Sequence, residues 1–339
     1  MRLNPSQSLV AVGLLSSLLV LGACGKDDAT SNASTAAPSA SAAPSASASA
    51  SATPAKIKAS TNLDAVTVTG AYGKQPKVKV KSPWAIDKTR TQVLDASDGQ
   101  VVKAGQTVEV NYYGVDGRTG KKFDESFSTG KSVAFSLDQV VPGFSKGLTG
   151  QRKGSRVVIA MPGSDGYDSS GGNAQAGINV GDTLIFVVDL VDVQLSGPEG
   201  AAVTPKAGVP TVSGSGDKIN ITIPKGDPPT KLVVQPLIKG TGKKVAATDT
   251  ITFNYRYQQW SDGKLIEQSY GSPVGSAALS GLLPGMQQGL VGQTVGSRVL
   301  LVIPPALGYP TGNATPKIEP DQTLVMVVDL LFTQAGQGG

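Results

Sequence analysis

Two of the side chains that most often carry out protein chemistry are almost missing from this chain. Histidine is absent, and cysteine occurs once, at Cys24. The absence of histidine excludes a Ser-His-Asp triad, imidazole acid/base catalysis and histidine-ligated zinc. A single cysteine allows neither an internal disulfide bond nor a cysteine metal cluster. The sequence therefore predicts no metal site and no cofactor.

The surroundings of Cys24 indicate a specific modification. Arg2 precedes an apolar stretch over residues 9–21, which has the length of a signal-peptide hydrophobic region and is short for a membrane span. The tetrapeptide that ends at Cys24, Leu-Gly-Ala-Cys, is similar to a bacterial lipobox, in which the cysteine sulfur receives a diacylglyceryl group. We expect a signal peptide over residues 1–24, lipidation of Cys24, and a location at the extracytoplasmic face of the cell membrane. The alternative is an ordinary secretory signal with an incidental cysteine.

A low-complexity segment follows the cysteine. Residues 29–55 are nearly all Ala, Ser, Thr and Pro, and none of them is charged or aromatic. Such a segment cannot bury enough apolar surface to offset the entropy lost on ordering. We expect a disordered tether over residues 25–76 and folded structure only from Lys77 onward.

The charge balance argues against a nucleic-acid partner. The chain has 30 basic and 25 acidic residues, a net charge of +5, and no cluster of Lys and Arg. A nucleic-acid-binding domain shows a stronger and more localised basic surface. The high content of glycine (42) and proline (22) favours turns and short strands over long helices.

The rest of the chain contains a tandem repeat with an offset near 142 residues. The matched segments keep their order and spacing; they are Pro142-Gly143 with Pro284-Gly285, Gly154-Ser155-Arg156 with Gly296-Ser297-Arg298, Gly166-Tyr167 with Gly308-Tyr309, and Val188-Asp189-Leu190 with Val328-Asp329-Leu330. So long an offset indicates duplication of a whole domain. We place the two domains at residues 77–196 and 217–334, with a linker rich in Gly, Pro, Ser and Ala over residues 197–216.

Each repeat predicts strands around one short helix. Strands are expected where apolar residues alternate or β-branched residues cluster, at residues 107–113, 156–161 and 183–193 and again at 250–257, 298–303 and 323–332. The helical candidates, residues 143–148 and 285–291, each follow a proline, which is common at helix starts. The predicted fold class is α+β, with an antiparallel sheet wrapped over a short helix.

The first repeat resembles the FKBP-type peptidyl-prolyl isomerases. The segments that carry the resemblance occur in family order; they are Val110-Asn111-Tyr112-Tyr113-Gly114, Phe123-Asp124-Glu125-Ser126, Phe135-Ser136-Leu137, Val140-Val141-Pro142-Gly143-Phe144, Gly166-Tyr167 and residues 181–190. Each segment alone is weak evidence, but the ordered set is specific, and the same scaffold recurs in the second repeat. The resemblance implies two tandem FKBP-like domains, each with an antiparallel half-barrel sheet around its helix.

The reaction that the resemblance implies is rotation about the peptide bond that precedes proline. The barrier to rotation about an amide is about 18–20 kcal/mol, and the uncatalysed step takes about 10–100 s. Because no covalent bond forms or breaks, the catalyst needs an apolar pocket for the proline ring, stabilisation of the twisted amide, and exclusion of water. We expect the substrates to be proline-containing exported polypeptides.

By resemblance, the first repeat supplies the catalytic pocket. Phe144 forms its floor, where the family most often has tryptophan; Asp124 interacts with Tyr112 or with the strained carbonyl; and the Tyr167 hydroxyl donates to a substrate carbonyl. Backbone N–H groups near Val141 and Ile178 are expected to hold the flanking peptide. The predicted site consists of Tyr112, Phe123, Asp124, Val140, Val141, Phe144, Tyr167, Ile178 and Phe186, with Val133 as a further wall residue.

The second repeat departs from this pattern at several site positions. Its corresponding residues are Tyr255, Ile266, Glu267, Leu283, Met286, Tyr309 and Met326. The Phe-Asp pair has become Ile-Glu, and methionine replaces both the aromatic floor and the phenylalanine of the closing strand. We expect a degenerate pocket with less rigid aromatic surface, weak or no isomerase activity, and a substrate-holding or structural role.

Other functions are compatible with parts of the sequence. An FKBP scaffold can serve as a non-catalytic chaperone or a partner-binding lipoprotein, which the changed second repeat favours. An all-β adhesion protein of immunoglobulin type fits the tether and short strands, but the matched helices argue against it. The loop between Tyr167 and Ile178 lacks the glycine that usually follows this tyrosine, and so it leaves substrate preference and the binding of macrolide immunosuppressants open. We expect a monomer.

Replacement of Cys24 tests the proposed anchor. Cys24→Ala removes the sulfur that would carry the lipid, so the variant is expected to leave the membrane fraction or to remain unprocessed. Fractionation of cells followed by mass determination of the N-terminus measures both results. Membrane retention with normal processing would contradict lipidation at this residue.

Overall fold

The computed structural model describes residues 57–336. Within this range, nineteen strands and two α-helices are present, and no helix is long and apolar enough to cross a membrane. The expected signal peptide, the lipidation site Cys24 and the tether as far as residue 56 lie outside the described residues.

Residues 57–86 form an N-terminal segment with four short strands; these are β1 (Ala59–Ser60), β2 (Val66–Thr69), β3 (Lys77–Val80) and β4 (Ala85–Ile86). β2 and β3 pair as an antiparallel hairpin, and β1 pairs with β4 in parallel. The expectation that structure begins only at Lys77 is therefore wrong. Val66 and Val68 alternate with exposed threonines along β2 and pack on the sheet of the first domain, which is why this polar-looking segment is ordered.

The first domain is an antiparallel sheet wrapped on one helix. Its elements are β5 (Arg90–Asp95), β6 (Thr107–Asp116), β7 (Lys122–Glu125), β8 (Val133–Ser136), α1 (Pro142–Leu148), β9 (Arg156–Met161) and β10 (Leu184–Val193). The neighbouring strands run in the order β5-β9-β10-β6-β7, and β8 pairs with the first half of β6. The long strand β6 therefore holds both β7 and β8, and it places their side chains next to the helix.

The central strands of this sheet are buried on both faces. All six residues of β9 are buried. Val157 and Ile159 point to the core beneath α1, whereas Val158 and Ala160 point to a second core covered by the N-terminal hairpin. A strand covered on both sides is expected to be apolar throughout, and this accounts for the continuous apolar run that predicted it.

A short connection leads to the second domain and contains β11 (Ala201–Ala202), β12 (Thr211–Ser213) and β13 (Asn220–Thr222). β11 pairs with β14 (Val233–Lys239), and β12 forms a hairpin with β13. The linker predicted over residues 197–216 therefore contains the strands β11 and β12. Val212 and Ile221 of this hairpin pack on the outer face of the second sheet, just as the N-terminal hairpin packs on the first.

The second domain repeats this architecture. Its remaining elements are β15 (Thr250–Gln259), β16 (Leu265–Gln268), β17 (Gly275–Ala278), α2 (Pro284–Leu290), β18 (Arg298–Ile303) and β19 (Leu324–Gln334). The strand order is β11-β14-β18-β19-β15-β16, with β17 on the first half of β15. The two short helices and the long closing strands thus agree with the sequence prediction to within two residues.

A buried ion pair fastens each outer hairpin to its sheet. In the first domain, Arg156 Nε donates to Asp189 Oδ1 at 2.5 Å, and both side chains are fully buried. The same guanidinium donates to the carbonyl oxygens of Gly70 and Lys74 at 2.7 and 2.6 Å. The second domain has the equivalent pair, Arg298 with Asp329. The ion pair explains why the segments that contain Arg156 and Asp189 recur in the second repeat.

Glycine sets the distance between each helix and its sheet. A Cβ atom on Gly147 of α1 would lie 2.6 Å from Ile159 Cγ2 on β9, and one on Gly289 of α2 would lie 2.6 Å from Leu301 Cδ2 on β18. Carbon atoms in proteins do not approach so closely, because optimal contact distances are about 3.5–4.0 Å. Only glycine lets the helix backbone approach the strand at these positions.

The contact at Gly147 gives a stability prediction. Gly147→Ala improves helix propensity by about 1 kcal/mol, but forcing a methyl group against Ile159 costs about 1–3 kcal/mol. We expect a net loss of up to about 2 kcal/mol in the free energy of unfolding of the first domain. Urea unfolding followed by Trp84 fluorescence, in a Trp260→Phe background, measures it.

The matched control is Gly197→Ala, because a Cβ there meets no atom within 4 Å. This variant should unfold like the parent chain. Equal stability of the two alanine variants would contradict the claim that the helix–strand distance depends on glycine.

Candidate functional site

Aromatic rings from four elements meet on the concave face of the first sheet. Phe186 on β10 lies at their centre. Its ring centroid is 4.5 Å from that of Phe144 on α1, 5.3 Å from that of Phe123 on β7 and 6.3 Å from that of Tyr112 on β6. The ring planes meet at 60–85°, an arrangement that aromatic quadrupoles favour. These contacts form a rigid apolar wall with Phe144 as its base.

A fifth ring of this wall was not predicted from the sequence. Phe135 on β8 stands perpendicular to Phe144, with the centroids 5.6 Å apart. It belongs to the segment Phe135-Ser136-Leu137, which was used as a family match without being assigned to the site. No sequence signal identified its role, which follows from the pairing with Val108 of β6 and the packing of its side chain against the core.

A polar pair lies at the edge of the wall. The Tyr112 hydroxyl donates to Asp124 Oδ2 at 2.6 Å, while the backbone N–H of Glu125 donates to Asp124 Oδ1 at 2.8 Å. Asp124 itself is exposed. Burial, followed by the hydrogen bond to Asp124, raises the pKa of Tyr112 above its ordinary value, so the phenol remains a proton donor near neutral pH. Of the two partners expected for Asp124, the structure shows Tyr112.

Gly114 makes room for the Phe123 ring. On β6, Gly114 lies opposite Phe186 of β10 and opposite Asp124 of β7. A Cβ atom at this position would lie 2.6 Å from Phe123 Cζ. The Phe123 ring therefore lies directly over the backbone of Gly114, and any side chain at position 114 would displace it.

The loop after β9 closes one side of the site. Tyr167 packs against the core, and its pKa is raised by burial and then by the Asp124 carboxylate. Ile178 is almost completely buried beside it. The Ile178 N–H donates to the Asn173 carbonyl at 2.9 Å and stabilises the loop turn. The expectation that backbone N–H groups near Val141 and Ile178 hold the flanking peptide stays a prediction.

The structure brings the predicted residues of the first domain together. Eight of the nine belong to one core cluster or pack against it, namely Tyr112, Phe123, Val140, Val141, Phe144, Tyr167, Ile178 and Phe186. The ninth, Asp124, joins them through the Tyr112 hydroxyl. The additional wall residue, Val133, lies outside this cluster with 38% of its surface exposed.

The predicted residues of the second domain also lie together. Six of them belong to one core cluster or pack against it, namely Tyr255, Ile266, Leu283, Met286, Tyr309 and Met326. The Tyr255 hydroxyl donates to Glu267 Oε1 at 2.7 Å, in the same way as Tyr112 donates to Asp124. The longer glutamate therefore still reaches the tyrosine.

A model of the family described as FKBP-type peptidyl-prolyl cis-trans isomerase matches the chain twice, over residues 99–191 and 241–331. The chain belongs to this family. The predicted family and the tandem α+β fold are confirmed, and the immunoglobulin-type alternative is excluded. The described domains extend beyond both matched regions, because the outer hairpins lie upstream of them.

Similar proteins include two from bacteria. FKBP-type peptidyl-prolyl cis-trans isomerase FkpA of Escherichia coli strain K12 is 35% identical over 130 residues, covering 37% of this chain and 46% of that protein. The FK506-binding protein of Streptomyces anulatus is 42% identical over 98 residues, covering 28% of this chain and 78% of that protein. The crystal structure of FkpA from Escherichia coli matches at 37% identity with a TM-score of 0.29, covering 31% of this chain and 47% of that one. The chain thus spans about half the length of FkpA.

The second FKBP domain carries an aromatic row that the sequence analysis did not identify. Phe253, Tyr255 and Tyr257 alternate along β15 and point to the same face. Neighbouring ring centroids are 5.8 and 5.9 Å apart. The Tyr257 hydroxyl donates to Glu267 Oε2 at 3.2 Å. The second FKBP domain therefore has no aromatic ring at the replaced positions. It has additional rings on β15, whereas the first FKBP domain takes its rings from other elements.

The buried tyrosines give a pH prediction for the second FKBP domain. Burial, followed by the charge of Glu267, raises the pKa of Tyr257 and Tyr309 above the ordinary value. Above about pH 10 the unfolded chain loses these protons first, so the native state holds more protons and its stability falls as the pH rises. Each tyrosine contributes up to about 1.4 kcal/mol per pH unit in this range.

Urea unfolding between about pH 9 and about pH 11, followed by Trp260 fluorescence in a Trp84→Phe background, measures this slope. Tyr257→Phe removes one titrating group and should flatten it by about one proton equivalent. A pH-independent unfolding free energy, or an unchanged slope in Tyr257→Phe, would show that these phenols ionise normally in the native state.

Proposed function

We propose that this chain is a peptidyl-prolyl cis-trans isomerase whose first FKBP domain performs the catalysis. The observation that carries the proposal is the combination of the aromatic wall around Phe186 with the Tyr112–Asp124 pair at its edge. Family membership supports the reaction type. The geometry supports the assignment to the first domain, where eight predicted residues share one core cluster and Asp124 joins them through the Tyr112 hydroxyl.

The apolar wall binds the proline ring. Phe144 at the base and Phe123 at the side offer aromatic surface of the right shape for a saturated five-membered ring. Binding there removes the prolyl amide from water, which otherwise stabilises the planar and more polar ground state. Because the wall is packed before substrate arrives, little conformational entropy is lost on binding.

The polar groups at the edge of the wall stabilise the twisted amide. As the bond rotates, the amide loses resonance and its carbonyl becomes more ketone-like. The Asp124 carboxylate, fixed by Tyr112, offers a preorganised negative charge beside this carbonyl carbon, and the Tyr167 hydroxyl offers a donor to a flanking carbonyl oxygen. Groups that interact more strongly with the twisted form than with the planar form lower the barrier.

The second FKBP domain is proposed to hold substrate. Its floor and closing strand carry Met286 and Met326 in place of phenylalanine, and methionine adapts to varied apolar ligands. This division of roles retains the alternative function, a non-catalytic chaperone or partner-binding protein, for the second half of the chain.

The proposed substrates are proline-containing polypeptides exported across the cytoplasmic membrane. This part of the proposal is supported by the signal-like N-terminus and the lipobox ending at Cys24. A monomer anchored there would meet clients before they fold. Binding of macrolide immunosuppressants to the first pocket is a further proposal, supported by similarity to a relative named for binding FK506.

A protease-free isomerisation assay on the full chain tests the proposal. Asp124→Ala removes the carboxylate beside the twisted amide and should lower kcat/KM at least about tenfold, equivalent to about 1.4 kcal/mol of transition-state stabilisation. Because Asp124 is exposed and lies at the edge of the site, the fold should be unaffected.

The matched control is Glu267→Ala at the equivalent position of the second domain, which should change kcat/KM less than about twofold. Equal losses in the two variants would assign catalysis to both domains. A folded chain that accelerates no prolyl bond would instead favour the non-catalytic chaperone.

A further inference from the structure

At one pair of equivalent positions, Gly114 and Tyr257, the two FKBP domains differ in whether a side chain is present. Gly114 on β6 lies opposite Phe186 and Asp124, and Tyr257 on β15 lies opposite Met326 and Glu267. The neighbours on both sides therefore match. A residue without a side chain in one domain corresponds to a large aromatic residue in the other.

The ring of Tyr257 takes the place of another ring. In the first domain, the space above Gly114 is filled by Phe123 from the neighbouring strand. In the second domain, the residue equivalent to Phe123 is the smaller Ile266, and the side chain of Tyr257 extends into the matching space with only 4% of its surface exposed. The aromatic wall is thus preserved, although a different strand supplies the ring.

The hydroxyl of Tyr257 adds something that Phe123 cannot. It donates to Glu267 Oε2 at 3.2 Å, while Tyr255 donates to Oε1 at 2.7 Å. In the first domain only one phenol reaches the carboxylate, and the other Asp124 oxygen takes a backbone N–H. Burial raises the pKa of Tyr257, so its hydroxyl stays protonated and continues to donate near neutral pH.

The second phenol changes what the carboxylate can do. Each hydrogen bond to a carboxylate oxygen stabilises its charge and directs it toward the donor. Both carboxylates accept one hydrogen bond on each oxygen, but the second donor to Asp124 is the backbone N–H of the adjacent Glu125, whereas the second donor to Glu267 is a phenol buried in the pocket. Both oxygens of Glu267 are therefore directed toward pocket side chains, which leaves less charge for a twisted amide, whereas the apolar surface for a proline ring is unaffected. Ground-state binding and transition-state stabilisation are therefore separated at this site.

We propose that Tyr257 determines the specificity of the second pocket: its ring replaces Phe123 as the wall for proline, and its hydroxyl occupies Glu267, so the pocket binds proline-containing segments but isomerises them poorly. The inference rests on the proposed function of the family fold as a prolyl isomerase. It goes further by assigning binding and slow turnover to two parts of one side chain.

The test uses the full chain with Asp124→Ala, which removes the proposed activity of the first domain. Binding is measured by titrating a synthetic tetrapeptide with one X-Pro bond and following methyl signals of selectively labelled methionine. Met286 and Met326 lie in the second pocket and Met161 lies in the first core, so the readout distinguishes the domains. Isomerisation is measured on the same peptide by protease-free exchange spectroscopy.

Tyr257→Phe keeps the ring and removes the hydroxyl. We expect kcat/KM to rise at least about fivefold, with the peptide Kd changed less than about twofold. Tyr257→Ala removes the wall, and its Kd should weaken at least about tenfold. Tyr270→Phe is the matched control, because Tyr270 is a buried tyrosine of the same domain in the outer core, and neither quantity should change.

Several results would overturn the inference. They are an unchanged or lower kcat/KM in Tyr257→Phe, an unchanged Kd in folded Tyr257→Ala, or no shift of Met286 and Met326 at saturating peptide. Failure of the proposed function shows separately, since it would appear as unchanged kcat/KM when Asp124→Ala is compared with the unsubstituted chain.

Discussion

The close contact between a seven-residue helix and the strand behind it controls the geometry of both pockets. Phe144 reaches Phe186 at 4.5 Å because the backbone of α1 touches the side chains of β9 at Gly147. A larger residue there would move the helix outward, and the floor of the pocket with it. So short a helix has little stability of its own. Its position depends on this contact and on Leu148, which is fully buried against the sheet.

The sheet can hold the helix firmly because its other face is also covered. The N-terminal hairpin gives β9 and β10 a second apolar layer, and the Arg156–Asp189 pair fastens the turn of this hairpin. A buried ion pair adds little net stability, but removing one partner leaves an unpaired buried charge and costs about 3–5 kcal/mol. The pair therefore acts mainly as a constraint on structure. It requires the hairpin to lie where its carbonyl groups satisfy the guanidinium.

The sequence was sufficient to predict the elements whose residue pattern is strong and local. The prolines that begin α1 and α2, the apolar runs of β9 and β18, and the Phe123-Asp124 segment all predicted their structural roles. The strands within residues 57–76 and 197–216 were not predicted because they are short and consist largely of alanine, serine and threonine. Such strands are stabilised by the sheet they cover, and that sheet is assembled from residues far away in the sequence.

Tyr257 was not predicted as a site residue, for a different reason. Its importance follows from the strand register, which places it where Gly114 lies in the first domain and opposite Glu267. Packing requires that the space beside Phe186 or Met326 be filled, but any neighbouring strand can fill it. A duplicated domain can thus conserve its core volume while the residue that supplies it changes. Because the new ring carries a hydroxyl, a change that packing tolerates also alters the polar groups around the carboxylate. The same fold can then hold a proline without carrying out the same chemistry on it.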